Sequence, residues 1–137
     1  MPRYNQYDTE KLVGELLKRE GFDVVRESHI SKEFHLCVMR NDKKANIRVK
    51  KLEYDGAYKE SPLPYTIYKV EAFKDNDQRD SALGYIDFVV GYNPDNSFYA
   101  CIPIVEFKNV RSNVVHEREG LRHEYLNNWN ALYEYFR

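Results

Sequence analysis

Residues 34–53, FHLCVMRNDKKANIRVKKLE, read as two short apolar strands around a polar turn, and one side of that hairpin carries groups able to do chemistry. Side chains alternate along a strand. Phe34, Leu36 and Val38 on the first strand, with Ala45, Ile47 and Val49 on the second, form the core set. His35, Cys37 and Met39 then share the opposite face with Asn46, Arg48, Lys50 and Leu52, which sets His35 near Arg48 and Lys50. Lys51 adds a further cation next door. A basic hairpin face is either simply solvated or receives an anion, and charge runs usually mean solvent.

Three other groupings carry functional residue types. His116, Glu119 and His123 stand at i, i+3 and i+7 and would share a helical face. Imidazole suits Zn²⁺, but Gly120 lies inside the set and no cysteine is near, so a solvated face is expected and no metal is assigned. RSNVVHEREGLRH (111–123) brings Arg111, Arg118 and Arg122, whose planar forks match phosphate, diluted by Glu117 and Glu119. Tyr54, Tyr58, Tyr65 and Tyr68 flank a proline-containing loop, where aromatics pack, stack on bases or meet a protein partner. Glycine-rich phosphate loops are absent, and nothing suggests a nucleophile elbow.

The elements that must position these residues follow from periodicity. Asp8 or Thr9 is expected to cap a helix to about Arg19, with Glu10 in its first turn, Leu12, Val13, Leu16 and Leu17 on its apolar face, and Gly21 as its stop. FDVVRE is the first strand, and the hairpin after it turns at Asn41–Lys44. Residues 53–64 read as a loop, YTIYKVEAF as a strand, and KDNDQRD as a charged connection. GYIDFVVGY and SFYACIPI form a second hairpin around Asn93-Pro94-Asp95-Asn96. Leu121, Tyr125, Trp129, Leu132 and Phe136 predict a C-terminal helix over about 119–136. Helix, strands, helix gives an α/β (α+β) fold, a mixed sheet flanked by helices in a single domain spanning 1–137.

Composition sets the outer limits. The chain has 137 residues, enough for one domain, and 42% hydrophobic with 31% charged residues marks it as globular. Twelve tyrosines and seven phenylalanines point to a substantial sheet. A formal net charge of −1 excludes a general nucleic-acid-coating protein and an acidic nucleic-acid mimic alike, so any nucleic-acid contact must come from a local patch. Cys37 and Cys101 make no disulfide framework and are expected to be reduced and buried. No apolar leader or membrane-length run is present, which predicts a cytoplasmic protein.

The order of elements, with Phe34-His35-Leu36 where the pattern has aromatic-acid-Leu and Ile47-Arg48-Val49 opening its I-R-V-x-x-K, is similar to the PD-(D/E)xK nuclease superfamily. More narrowly, ELLKREGFDVV (15–25), YIDFVVGYNPDNSFYACIPIVEF (85–107) and EYLNNWNAL (124–132) resemble the small endonucleases associated with group I introns. The resemblance implies a sheet flanked by helices and Mg²⁺-dependent cleavage, because Mg²⁺ takes oxygen ligands from one or two carboxylates beside the scissile phosphate. Carried over, the first-strand acid falls on His35, and the acid-x-lysine pair falls on Arg48 and Lys50, or on Lys50 and Leu52 in the next register. Both registers lack the carboxylates. Exchanging acids for His and a cation reverses the local field, which then repels a divalent cation and attracts a phosphate.

Three functions follow as expectations. The first is a catalytically degenerate nuclease-fold protein with no cofactor. It binds DNA or RNA, or a protein complex that handles them, through His35, Arg48, Lys50 and Lys51, assisted by Arg118 and Arg122. The second is a protein-binding inhibitor or adaptor, of phage or mobile-element origin by family setting, using Tyr54, Tyr58, Tyr65, Tyr68 and the C-terminal helix. The third is a Mg²⁺- or Mn²⁺-dependent endonuclease whose acids have moved to Glu10, Glu33 or Glu53, with Lys50 retained. By strict alternation Glu33 and Glu53 face the core side unless a bulge re-aims them. Asp87 matches an Asp of the resembled pattern, with a capping role equally open. Homo-oligomerisation is an expectation by analogy.

Overall fold

The chain opens with a reciprocal cap. In the computed structural model, which describes residues 5–27, 33–60 and 62–137, Asn5 Oδ1 accepts the Asp8 N–H at 2.9 Å, and Asp8 returns a contact to the Asn5 N–H at 3.4 Å. α1 (Gln6–Arg19) therefore starts earlier than the Asp8 or Thr9 cap expected from sequence, and Glu10 falls past its first turn. Its C-terminus closes where expected, with Gly21 donating to Lys18 and Phe22 to Leu17. Val13 and Leu17 are fully buried on its apolar face.

Seven strands follow in one mixed sheet: β1 (Asp23–Arg26), β2 (Leu36–Arg40), β3 (Lys43–Tyr58), β4 (Tyr65–Glu71), β5 (Phe88–Tyr92), β6 (Tyr99–Pro103) and β7 (Ser112–His116). The long β3 organises all of them. Its first half pairs antiparallel with β2 and parallel with β5, and its second half pairs antiparallel with β4. β1 extends the sheet beyond β2, β7 beyond β4, and β6 beyond β5, all antiparallel. α2 (Asn76–Ala82) and α3 (Asn130–Phe136) complete the regular elements with 3₁₀ turns at Ile104–Phe107 and His123–Tyr125.

Two apolar clusters divide the core between the sheet's faces. Leu36, Val38, Ala45, Ile47 and Val49 pack with α1 and α3, through Val13, Leu17, Leu132 and Phe136. Leu52, Val70, Phe73, Ala82, Val89 and Phe107 form the other cluster. The period-two assignment thus holds from Leu36 through Val49, with the Arg48 side opposite α1's apolar face, but Phe34, expected with Leu36, packs against the other cluster. Where β4 folds against β5, Gly91 lets the strands approach: a Cβ there would meet Val70 at 2.7 Å.

Four expected segments differ. The first hairpin turns on Asn41 and Asp42 alone, both at positive φ (53° and 64°), a two-residue turn whose twist suits the flanking strands. Residues 53–58 are strand, not loop, because a bulge at Tyr54/Gly56 lets β3 stay paired with β4. KDNDQRD is capped by Asp75, whose side chain accepts the Gln78 N–H at 2.8 Å, so α2 forms there. The helix expected over about 119–136 is confined to Asn130–Phe136, since Gly120, Arg122 and Asn127 adopt positive φ and interrupt it. Just before that region, Ser112–His116 form β7, with Asn113 and Val115 buried in alternation. Both cysteines are buried and unpaired. Among the described residues, no helix is long and apolar enough to cross a membrane.

Candidate functional site

β2 begins at Leu36, so β3 loses its partner strand just where its polar residues start. The His35 N–H still donates to the Ile47 carbonyl at 2.9 Å. One step on, side chains take over from backbone. The Val49 N–H donates to Nδ1 of His35 at 2.8 Å, and the Val49 carbonyl accepts from Nε2 of Gln6 at 2.8 Å. Accepting at Nδ1 requires that nitrogen to be unprotonated, which places the neutral ring's proton on Nε2. Burial lowers the His35 pKa to about 4; Glu10 opposes the shift, and Arg48, Lys50 and Arg26 reinforce it. His35 is neutral at pH 7.

Arg48 is only 3% exposed. Its Nε donates to the Ala72 carbonyl at 2.8 Å and its Nη1 to the Glu33 carbonyl at 2.9 Å, with the guanidinium 4.9 Å from the Phe73 ring centroid. Desolvation lowers its pKa, countered by the Glu33 charge. It borders a cleft of about 420 Å³ that Glu33, Lys74, Asp75, Asp77 and Gln78 also line, so acids dominate its approach. Lys50 is half-buried; burial first, then Arg48, lowers its pKa, while Glu10 raises it.

Glu10 sits opposite this group on α1 and is 2% exposed. Its carboxylate accepts from Arg26 Nε at 3.0 Å and from Gln6 Nε2 at 2.9 Å. Gln6 and Glu10 are one helical turn apart, which presents both to β1 and β3. Sequence reading singled out Glu10 but missed Gln6 and Arg26. The i, i+4 spacing of Gln6 and Glu10 was the available signal, concealed by placing the helix start too late.

The structure therefore gathers Glu10, His35, Arg48 and Lys50, with the Glu33 backbone beside them, and leaves the other expected residues elsewhere. Glu53 lies further along β3, exposed and paired in register with Lys69, so the expectation that it faces the core fails; the sheet has narrowed to β3–β4 there. Lys51 is exposed, and alternation turns it from Lys50. Arg118 donates to the carbonyls of Leu63 and Pro64, the second at 2.9 Å, and lies over Tyr65. Arg122 donates to the Val114 carbonyl at 2.7 Å and pairs with Glu106 at 3.4 Å. Both arginines brace the β4–β7 end and do not assist the His35 group.

The tyrosines form cross-strand pairs on β3 and β4. Tyr54 and Tyr68 have centroids 5.4 Å apart, Tyr58 and Tyr65 5.2 Å. Tyr65 and Tyr68 are buried, whereas Tyr54 is 56% exposed. His116, Glu119 and His123 share no helical face: His116 contacts the Tyr65 hydroxyl at 2.9 Å through Nδ1, and His123 turns back to the Gly120 carbonyl. Asp87 takes the capping role, accepting the Asn46 N–H at 2.8 Å while its own N–H donates to the Asn46 carbonyl.

A divalent ion of the kind the PD-(D/E)xK resemblance implies does not fit these residues. Mg²⁺ needs carboxylate oxygens turned toward it. Both Glu10 oxygens are engaged by Arg26 and Gln6, and Arg48 and Lys50 stand alongside. Among the described residues, no three His, Cys, Asp or Glu side chains are grouped to hold a metal.

No protein-family model matches the chain, and no curated protein matches it. Among solved structures it is similar to a bacterial homing endonuclease, I-Ssp6803I, at 13% identity and a TM-score of 0.60, over 93% of this chain and 89% of the other. The likeness establishes a nuclease-like fold.

Proposed function

We propose that this chain is a catalytically degenerate nuclease-fold protein that binds nucleic acid, or a complex that handles nucleic acid, without cutting it. One observation carries the reading: the Glu10 carboxylate is paired with Arg26 at 3.0 Å and hydrogen-bonded by Gln6 at 2.9 Å, within electrostatic reach of His35 and Lys50. At His35 the charges of Arg26, Arg48 and Lys50 outweigh Glu10, so the field there favours an anion over a cation, whereas the cleft at Arg48, lined by Glu33, Asp75 and Asp77, does not. The fold shared with an endonuclease supports nucleic acid as the source of that anion, by analogy of architecture alone.

The residues divide the work. Arg48 spends its donors on Ala72 and Glu33 and opens toward acids, so it sets the field and does not reach a phosphate. Lys50, half-buried with a mobile ammonium, makes the contact. His35 holds the Val49 backbone in place as a neutral acceptor. Binding is tested by fluorescence anisotropy of labelled duplex DNA and RNA over a salt series. Affinity that falls steeply with salt and is lost in Lys50→Glu supports the reading. Affinity unchanged in Lys50→Glu contradicts it.

A further inference from the structure

His35 spends only one of its ring nitrogens on the backbone. Nδ1 accepts the Val49 N–H at 2.8 Å, so the proton of the neutral ring sits on Nε2, on the far side of the ring from β3. Among the described residues, Nε2 has no hydrogen-bond partner. It is not sealed from water either, because among those residues no buried side-chain nitrogen or oxygen is left unbonded. Nε2–H is therefore a donor open to solvent, aimed by the bond that Nδ1 makes.

Lys50 supplies a second open donor. It follows Val49 directly, is half-buried, and makes no hydrogen bond or ion pair among the described residues. Burial does most to lower the His35 pKa to about 4, and the Lys50 charge adds to it, which puts the ammonium within electrostatic reach of the ring. At neutral pH the imidazole thus stays uncharged and keeps Nε2–H as its donor. The neighbouring cations have other duties: Arg48 donates to the Ala72 and Glu33 carbonyls, and Arg26 pairs with Glu10 at 3.0 Å. They still act on the ring through space, and with Lys50 they outweigh Glu10 there.

We propose that His35 Nε2–H and the Lys50 ammonium hold one phosphate group between them, the imidazole fixing its position and the lysine supplying the charge. A phosphate presents several oxygens around one centre, so it can accept from a fixed donor and a mobile one together. That this phosphate belongs to a nucleic-acid backbone rests on the function proposed above. The contact makes His35 a ligand-binding residue as well as a brace for Val49. Because a neutral donor releases no counterion, it adds affinity without adding salt dependence, the opposite of a lysine.

The two nitrogens have separate mimics, which makes the proposal testable. In His35→Asn, Oδ1 stands where Nδ1 stands and keeps the Val49 contact, while Nε2–H is lost. In His35→Gln the amide reaches the Nε2 position instead. Anisotropy of labelled duplex DNA over a salt series is measured on the full chain and both variants, with circular dichroism to confirm folding. Nitrogen NMR then follows the His35 ring on addition of the duplex or of inorganic phosphate. Expected are weakening of about threefold or more in His35→Asn at every salt concentration with the wild-type slope, affinity largely kept in His35→Gln, and a Nε2 resonance that moves with either ligand. Wild-type affinity in His35→Asn, a shallower salt slope there, or a Nε2 resonance unmoved by bound duplex overturns the proposal and leaves the nucleic-acid reading resting on Lys50. A ring that answers inorganic phosphate in a chain that binds no duplex keeps the phosphate site and overturns the nucleic-acid reading. No response to either ligand overturns both.

Discussion

The Val49 amide donates to Nδ1 of His35 at 2.8 Å, a side chain doing what a neighbouring strand does elsewhere along β3. His35 occupies the position where the PD-(D/E)xK resemblance sets a metal-binding acid, yet the ring is neutral and turned to the backbone. Its job here is to end a sheet edge cleanly.

That role is measurable as stability. His35→Ala leaves the Val49 N–H without its acceptor and should cost roughly 1–3 kcal/mol in urea unfolding. His35→Asn, whose Oδ1 can stand where Nδ1 stands, should recover most of the loss. Equal losses in both variants would mean that the ring's packing matters and its acceptor does not.

The same residue gives a pH dependence with a definite sign. The folded pKa of about 4 lies below the ordinary 6.5, so the unfolded chain takes up a proton first as pH falls. His35 therefore contributes stability that is full above pH 6.5 and lost on descending towards pH 4, at most roughly 3 kcal/mol. Chemical denaturation from pH 7 to 4 should show that slope, and His35→Gln should flatten it. An unaltered slope in His35→Gln would assign it to carboxylates.

Arg48 and Lys50 should separate cleanly. Arg48→Ala strands the Ala72 and Glu33 carbonyls and should lower stability by roughly 1–3 kcal/mol; losing one charge from the field, it should weaken nucleic-acid binding less than Lys50→Gln does after correction for the folded fraction. Lys50→Gln should leave the melting temperature close to wild type and reduce the salt slope of binding by about 1. The reverse pattern would make Arg48 the contact residue.

Much of this arrangement was legible in the sequence. Strict alternation along residues 34–50 put His35, Arg48 and Lys50 on one face, because a strand with one buried side has only one workable register. β4, β5 and β6 were marked by β-branched and aromatic runs between turn signals. What escaped depends on longer-range pairing. Residues 53–58 carry a glycine and two tyrosines that read as loop until β4 arrives to pair with them. The C-terminal stripe was real as packing, with Trp129, Leu132 and Phe136 buried, but left-handed residues at 120, 122 and 127 break its helix, and only Gly120 announces that by type. Arg118 and Arg122 look like phosphate ligands by residue type, yet they brace backbone carbonyls. Gln6 and Arg26 went unnoticed because burial of Glu10 is a tertiary fact.

The most direct test incubates supercoiled plasmid with the purified protein in Mn²⁺ and in EDTA, at low and moderate salt, and reads both mobility and nicking. The expected result is a salt-sensitive mobility shift, the same in Mn²⁺ and EDTA, with the plasmid still supercoiled after the protein is removed. Nicking that requires Mn²⁺ and disappears in Glu10→Gln would contradict the account, since it would show a working metal site where Arg26 and Gln6 now hold the carboxylate.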